Sequence, residues 1–183
     1  MSSKPVPRLD PRPSTSGPLV VLGVDPGLRV TGWGVVVAAN GDLRALASGA
    51  VGLRGKRRPE ERLHHIFREL RAVIARWQPA EVAVEDPFVA RNARSAFAIG
   101  EARAVALLAA AETGLPVHPY APAAIKLAVS GYGRGDKAQV QEMVRLQLGL
   151  DAAPEPVDAS DALAVALCHQ LRRRADVRLA EAR

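Results

Sequence analysis

The most informative pattern in this 183-residue chain runs from Leu19 to Val37, LVVLGVDPGLRVTGWGVVV. An apolar run rich in valine ends on Asp25, a Pro26-Gly27 turn follows at once, and a second apolar run returns beside the first. A carboxylate held at the end of a buried strand by a rigid turn is poorly placed for a core and well placed to bind a metal ion. The rest of the chain decides whether more carboxylates reach the same place.

The composition is that of a basic globular protein. With 48% hydrophobic and 24% charged residues, it matches neither a disordered nor a membrane protein. Its 25 Lys and Arg outnumber its 19 Asp and Glu, which gives a net charge of +6. This excess favours an acidic partner such as nucleic acid, because binding phosphates releases counterions. A generic basic protein is the alternative on charge alone.

The single cysteine, Cys168, excludes an intramolecular disulfide and a four-cysteine zinc site, so we expect a cytoplasmic location. No apolar run approaches the roughly 20 residues that a membrane span needs. No apolar segment of a secretory signal precedes Pro18. We therefore expect no membrane partner.

The chain divides into a flexible, proline-rich N-terminal tail at 1–17, one domain at 18–174 and a C-terminal tail at 175–183. The apolar patterns predict strands at 19–25, 30–39, 43–53, 81–85 and 115–120, and helices at 59–77, 93–113, 122–129, 137–148 and 158–174. An Asn40-Gly41 pair predicts a hairpin, so the first three strands should form an antiparallel meander. The order predicts an α/β fold, a mixed five-stranded sheet flanked by helices.

Four acids stand out from the surface background. Asp25 and Glu85 each end an apolar strand, and their carboxylates meet at one edge if those strands are parallel neighbours. Asp158 and Asp161 share one face in the first turn of a helix that is otherwise small and apolar. Taken singly, each acid could be a turn residue or a helix cap. Together they would repel one another unless a cation binds between them.

Ligands that are all oxygen favour Mg²⁺ or Mn²⁺ over zinc. Two such ions about 4 Å apart stabilise the attacking and leaving oxygens in phosphodiester hydrolysis. A basic protein with such an acidic cluster is a nuclease candidate.

Four motifs, LGVDPGLRVTGWGVV, AVEDPF, GYGRGDK and VDASDALAVALCH, resemble the RuvC Holliday junction resolvases in order and spacing. The resemblance runs from about Leu19 to Leu171. It implies an RNase H-like fold and a homodimer that cuts two like strands of a four-way DNA junction symmetrically. It also implies work in DNA recombination and repair beside the RuvAB branch-migration complex.

The resemblance assigns roles to individual residues. The catalytic metal ligands, with two Mg²⁺ or Mn²⁺ ions per site, would be Asp25, Glu85, Asp158 and Asp161. Phe88 would stack at the junction centre, while Lys126 and Lys137 would lie near the scissile phosphate. Lys137 would stabilise the charge that develops there. The predicted helix at 93–113 would contribute to the dimer interface through Gly100 and Ala104.

Further residues in or near loops are expected to contact DNA, namely Arg91, Arg94, Tyr132 and Arg134. An exposed aromatic side chain such as Phe88 or Tyr132 can stack on an unpaired base. A local hydrophobic anchor is the alternative role for Phe88. Asp86 departs from the family pattern, and we expect its side chain to point away from Glu85 because successive strand residues face opposite sides.

The remaining charged residues have simpler explanations. The four histidines, His64, His65, His118 and His169, have no metal-ligand spacing with cysteines, so we predict surface or packing positions for them. The run Arg172–Arg174 is predicted to complement the dipole at the end of the last helix.

Three other functions remain open at this point. An Asp-Pro-Gly turn also occurs in actin-type ATPases and sugar kinases, which need two lobes and therefore about twice this length. A junction-binding protein without activity would be expected to lack one or more of the acids. A nuclease acting on RNA–DNA hybrids would share the fold.

Overall fold

A computed structural model describes residues 17–27, 29–52, 58–86, 93–132 and 136–182. The strands are β1 (Leu19–Asp25), β2 (Val30–Ala39), β3 (Asp42–Gly52), β4 (Glu81–Glu85) and β5 (Val117–Tyr120). The helices are α1 (Pro59–Trp77), α2 (Ala93–Glu112), α3 (Pro122–Ser130), α4 (Lys137–Gln147) and α5 (Val157–Glu181). Every predicted element is present, with differences at some of the ends.

The strands form one mixed sheet in the order β3-β2-β1-β4-β5. The first three pair antiparallel as a meander, while β1 pairs parallel with β4 and β4 pairs parallel with β5. The predicted mixed five-stranded architecture is confirmed. The parallel register aligns Val24 with Val84, so β1 and β4 end on their acids side by side.

Helices cover both faces of the sheet, and each face has its own apolar core. Alternate residues of β1 and β4, such as Leu22 and Val84, pack with α1 and α2 on one face. The others, such as Val21 and Ala83, pack with α3, α4 and α5 on the opposite face. Helix α5 is the most deeply placed, because its residues from Ala162 to Gln170 are all buried.

Glycines in β1 and β2 allow the backbone of α5 to lie directly on the sheet. A Cβ atom at Gly23 would overlap the Ala162 carbonyl oxygen and lie 2.6 Å from the Ala166 nitrogen. A Cβ atom at Gly32 would likewise overlap the Asp158 carbonyl oxygen. The glycines therefore set the distance at which the acidic end of α5 faces the end of β1.

The last helix is longer than predicted. It continues to Glu181, so the predicted helix end at 174 is wrong and residues 175–181 are helical. The segment contains no glycine or proline, and good helix formers extend the helix after its buried face has ended. The division into a domain and two tails stays a prediction.

Two further predictions are corrected at helix ends. Because α5 continues, Arg172–Arg174 lie inside the helix, and Arg178 is the basic residue in its last turn. Strand β5 begins at Val117 rather than at 115, because the Leu115 N–H donates to the Ala110 carbonyl at the end of α2. Within the ranges described, no helix combines the length and apolar content needed to cross a membrane.

We predict that Gly23→Ala destabilises the protein, since the added methyl group must push α5 away from β1. Overpacking of this kind costs about 1–3 kcal/mol, measurable by urea denaturation. Gly52→Ala is the matched control in another strand, where the nearest atom is the end of the Val30 side chain at 3.1 Å. Equal losses in the two variants would contradict the role assigned to Gly23.

Candidate active site

The ends of β1 and β4 open into a cavity of about 300 Å³ between the sheet and helices α3, α4 and α5. Its charged walls contain three of the predicted acids and both predicted lysines, namely Asp25, Glu85, Asp161, Lys126 and Lys137. Apolar side chains complete the walls, namely Pro122, Ile125, Val140 and Ala164. Residues from two strands and three helices therefore converge on this cavity.

Lys137 lies at the first position of α4 and reaches across the cavity to α5. Its Nζ atom lies 2.6 Å from Oδ2 of Asp161. The start of α4 is held by Asp136, whose carboxylate accepts a hydrogen bond of 2.8 Å from the Gln139 backbone N–H. The N-cap thus positions the lysine that pairs with the acid on α5.

Burial and mutual repulsion make the cavity a costly place for negative charge. Burial raises the pKa of Asp25 to about 6, with the neighbouring carboxylates of Asp161 and Asp158 acting in the same direction against the opposing effect of Lys137. Burial also raises the pKa of Glu85 to about 8, with added repulsion from Asp25 and Asp161. The free protein therefore holds protons on these carboxyls at pH values where an exposed acid is ionised.

The same negative charge destabilises the ionised carboxyls but stabilises the protonated form of Lys137. Burial lowers the pKa of Lys137, but its hydrogen bond to Asp161 and the charges of Asp161, Asp25 and Asp158 outweigh this and raise it. A cation is therefore stabilised among these carboxylates. The donor set, which is all oxygen and mutually repelling, fits a hard divalent ion.

Asp158 lies at the edge of the cavity rather than in its wall. It is one helical turn before Asp161, and its charge raises the pKa values of Asp25 and Lys137, which places it electrostatically close to both. The first turn of α5 lies against β2 at Gly32. The structure thus brings three acids together and leaves the fourth beside them.

The acids do not converge as tightly as a preformed ligand set. Within the described residues, the one group of three whose ligand atoms all lie within 4.8 Å of one another is Glu81, His118 and His169. This group lies away from the predicted site. Among the cavity acids, Asp161 pairs with the ammonium group of Lys137.

The predicted DNA contacts lie in different places. Lys126 and Lys137 line the cavity, while Tyr132 and Arg94 are exposed outside it. Phe88, Arg91 and Arg134 lie outside the described residues, so their roles stay predictions.

Asp86 makes an ion pair of 3.0 Å with Arg103 of α2. Helix α2 packs on the opposite face of the sheet from α5, so Asp86 points away from the cavity, in the direction that strand alternation gives it. The extra acid therefore does not add to the carboxylate cluster.

Sequence reasoning missed the polar group around Glu81. A usable signal was present, because Glu81 and Glu85 are four residues apart in one strand and so face the same side of the sheet. The histidine partners come from β5 and α5, and no local pattern indicated that these elements meet at Glu81.

Comparison with known proteins gives consistent matches. Residues 21–169 match the family described as "Crossover junction endodeoxyribonuclease RuvC". The RuvC of Chloroflexus aurantiacus is 51% identical over 148 residues, which is 81% of this chain and 90% of that protein. The RuvC of Heliobacterium modesticaldum is 49% identical over 150 residues, or 82% of this chain and 93% of that protein.

A solved structure has the same fold. The structure of T. thermophilus RuvC in complex with a Holliday junction substrate superposes with a TM-score of 0.81 at 38% identity. The match covers 86% of this chain and 96% of that one. The mixed sheet and its helices are therefore the RNase H-like architecture that the four motifs implied.

The raised pKa values predict how the stability of the metal-free protein depends on pH. A carboxyl whose pKa is higher in the folded state stabilises the protein fully below its unfolded pKa, and this contribution is lost as pH rises through the folded value. With pKa values of about 6 for Asp25 and about 8 for Glu85, stability in chelator should fall between about pH 4 and pH 8. At about 1.4 kcal/mol for each pKa unit, the loss should reach several kcal/mol.

Urea denaturation at about pH 4 and about pH 8 tests this expectation. Asp25→Asn removes one of the two groups. Between these two pH values its free energy of unfolding should fall by at least about 2 kcal/mol less than that of the unaltered protein. Asp42→Asn changes an exposed acid on the hairpin and should keep the original slope. An unchanged slope in Asp25→Asn would contradict the electrostatic description of the cavity.

Proposed function

Because the chain belongs to the RuvC family of crossover junction endodeoxyribonucleases, we propose that it resolves four-way DNA junctions by phosphodiester hydrolysis. The observation that carries this proposal is the cavity in which Asp25, Glu85 and Asp161 face Lys126 and Lys137. Family membership decides among the functions left open by the sequence in favour of the nuclease. We propose that this junction cleavage serves homologous recombination and DNA repair.

We propose that Asp25, Glu85, Asp158 and Asp161 hold two Mg²⁺ or Mn²⁺ ions. The support is the buried, mutually repelling carboxylates and the ammonium group of Lys137 that they already attract. Such ions, when bound, stabilise the attacking and leaving oxygens of the phosphodiester. Glu85 must first give up the proton that its raised pKa of about 8 retains, so metal binding is linked to proton release.

The lysines supply the positive charge that the protein itself directs at the phosphate. In the free protein, Lys137 neutralises the Asp161 carboxylate of α5 at a distance of 2.6 Å. When the carboxylates bind divalent ions, we expect Lys137 to exchange this partner for a phosphate oxygen. Lys126 faces the same cavity from α3. Fixed positive groups of this kind stabilise the charge that develops on the phosphate.

We propose that the surfaces around the cavity bind the arms of the junction. The net charge of +6 favours the DNA backbone. Phe88 would stack on a base at the junction centre, and Arg91, Arg94 and Arg134 would contact phosphates. Tyr132, which is exposed after α3, is a second candidate for stacking.

Symmetric cutting of two strands requires two active sites, so we propose a homodimer formed through α2. This helix is apolar on its solvent side as well as on its core side: Phe97 is 74% exposed and Leu108 is 58% exposed. Between them, Ala104 is exposed, and a Cβ at Gly100 would have no atom of the described residues within 4 Å. These four residues share one helical face and allow another backbone to approach closely.

Family membership is also the basis for two broader proposals. We propose that the protein works in the cytoplasm and that it acts beside a RuvAB branch-migration complex, which would deliver the junction to be cut.

Removing single acids tests the catalytic assignment. Asp25→Asn and Asp161→Asn should each slow cleavage of a synthetic four-way junction in Mg²⁺ by at least about a thousandfold, because losing an ionic ligand forfeits several kcal/mol of charge stabilisation. Junction binding, measured by gel shift in Ca²⁺, should persist. The exposed Asp42→Asn variant should cut normally.

The same assay distinguishes junction cleavage from other nuclease activities. A plain duplex and an RNA–DNA hybrid should be cut far more slowly than the junction. Cleavage by Asp25→Asn at the normal rate, or preference for the hybrid, would contradict the proposed function.

A charge on the solvent face of α2 tests the dimer. Leu108→Glu should weaken self-association at least about 100-fold, because an unpaired carboxylate buried at an interface costs about 3 kcal/mol or more. Leu146→Glu on α4 is the matched control, because Leu146 is 55% exposed against 58% for Leu108. Sedimentation velocity should show monomers for the first variant and dimers for the second, and the reverse result would place the interface elsewhere.

A further inference from the structure

A second polar cluster lies on the same face of the sheet, at the opposite end of β4 from Glu85. Oε2 of Glu81 lies 2.7 Å from Nε2 of His169 and 3.1 Å from Nε2 of His118. The two imidazole rings are 4.5 Å apart between centroids. Two imidazole nitrogens from different elements therefore point at one carboxylate oxygen.

Outer contacts orient two members of this cluster. The Tyr120 hydroxyl lies 2.7 Å from Nδ1 of His169, which leaves Nε2 of that ring to face Glu81. Arg173 binds the other carboxylate oxygen, Oε1, of Glu81. Metal-ligating histidines and carboxylates have outer contacts of this kind on the atoms that do not bind the metal.

One ring nitrogen of His118 lacks a hydrogen-bond partner in the part of the chain that the structure describes. This atom, Nε2, is buried, and although it lies 3.1 Å from Glu81 it makes no hydrogen bond of acceptable geometry with the described residues. A buried polar atom without a hydrogen bond costs free energy. A cation between this nitrogen and the carboxylate would satisfy it.

We propose that Glu81, His118 and His169 bind a transition-metal ion of the zinc class, at a site separate from the acidic cavity. Two imidazoles and one carboxylate suit Zn²⁺, whereas Mg²⁺ prefers ligands that are all oxygen. All three ligand atoms lie within 4.8 Å of one another. Tetrahedral ligands at about 2.0–2.1 Å from zinc lie about 3.3 Å apart.

Small movements complete this geometry. The His118 contact of 3.1 Å is already close to the required spacing, while the His169 contact of 2.7 Å must widen. The His118 side chain is 41% exposed as a whole, so its ring can adjust.

The site would join three elements of the fold. Glu81 comes from β4, His118 from β5 and His169 from α5. The four-residue step from Glu81 to Glu85 corresponds to about 13 Å along the strand. A bound ion would therefore stabilise the contact between α5 and the sheet without entering the acidic cavity.

Metal titration of an acid-deficient protein tests the proposal. Asp25→Asn combined with Asp161→Asn weakens the acidic cavity as a competing site. After treatment with chelator, this protein should bind one equivalent of Zn²⁺ by calorimetry, and its Tm should rise with Zn²⁺ concentration. Co²⁺ should give the visible absorption of a tetrahedral nitrogen and oxygen site.

Further substitutions in that background identify the ligands. Tyr120→Phe removes an outer contact and should weaken Zn²⁺ binding about 10–100-fold. His118→Ala removes a ligand and should weaken binding more than this. His64→Ala, at an exposed histidine on α1, should have no effect.

Two results would overturn the proposal: absence of stoichiometric Zn²⁺ binding, or equal affinity in the protein with and without His118→Ala. The Co²⁺ spectrum needs no variant at His118 and so remains decisive if that variant fails to fold. In the otherwise unaltered chain, His118→Ala should still cut junctions in Mg²⁺, which separates this proposal from the proposed function.

Discussion

Helix α5 packs directly on strands β1 and β2, and this close contact assembles the acidic site. Gly23 and Gly32 leave no side chain between the strands and the helix, so backbone lies against backbone. The sheet alone supplies only Asp25 and Glu85 at its edge. Asp161 reaches the same cavity because the helix that carries it lies this close.

The arrangement has an electrostatic cost that the fold tolerates. Burial and the repulsion between carboxylates raise the pKa values of Asp25 and Glu85, and Lys137 offsets part of this repulsion. A group of ionised carboxylates without a bound cation is less stable than an apolar core of the same size would be. The same imbalance favours the binding of divalent ions and of the phosphates they accompany.

Helix α5 and strand β4 connect the two polar clusters of the protein. One end of β4 bears Glu85 in the acidic cavity, and the other bears Glu81 beside His169. Between them the interface is apolar, with Ala83 fully buried against the α5 side. The first cluster offers oxygen donors alone and the second offers two imidazoles with one carboxylate, so the two clusters favour different cations.

The strands and helices, the sheet class and the four candidate acids could be predicted from the chain alone, because strand alternation, helix periodicity and the motifs are local patterns. The sequence also indicated Lys126 and Lys137 through the family resemblance. The extension of α5 to Glu181 also has a local signal, since residues 175–181 contain no glycine or proline. The pairing of Asp161 with Lys137 and the meeting of Glu81 with two histidines came from the three-dimensional packing alone. Each of these contacts joins elements far apart in the chain, so no local pattern records the distance between them.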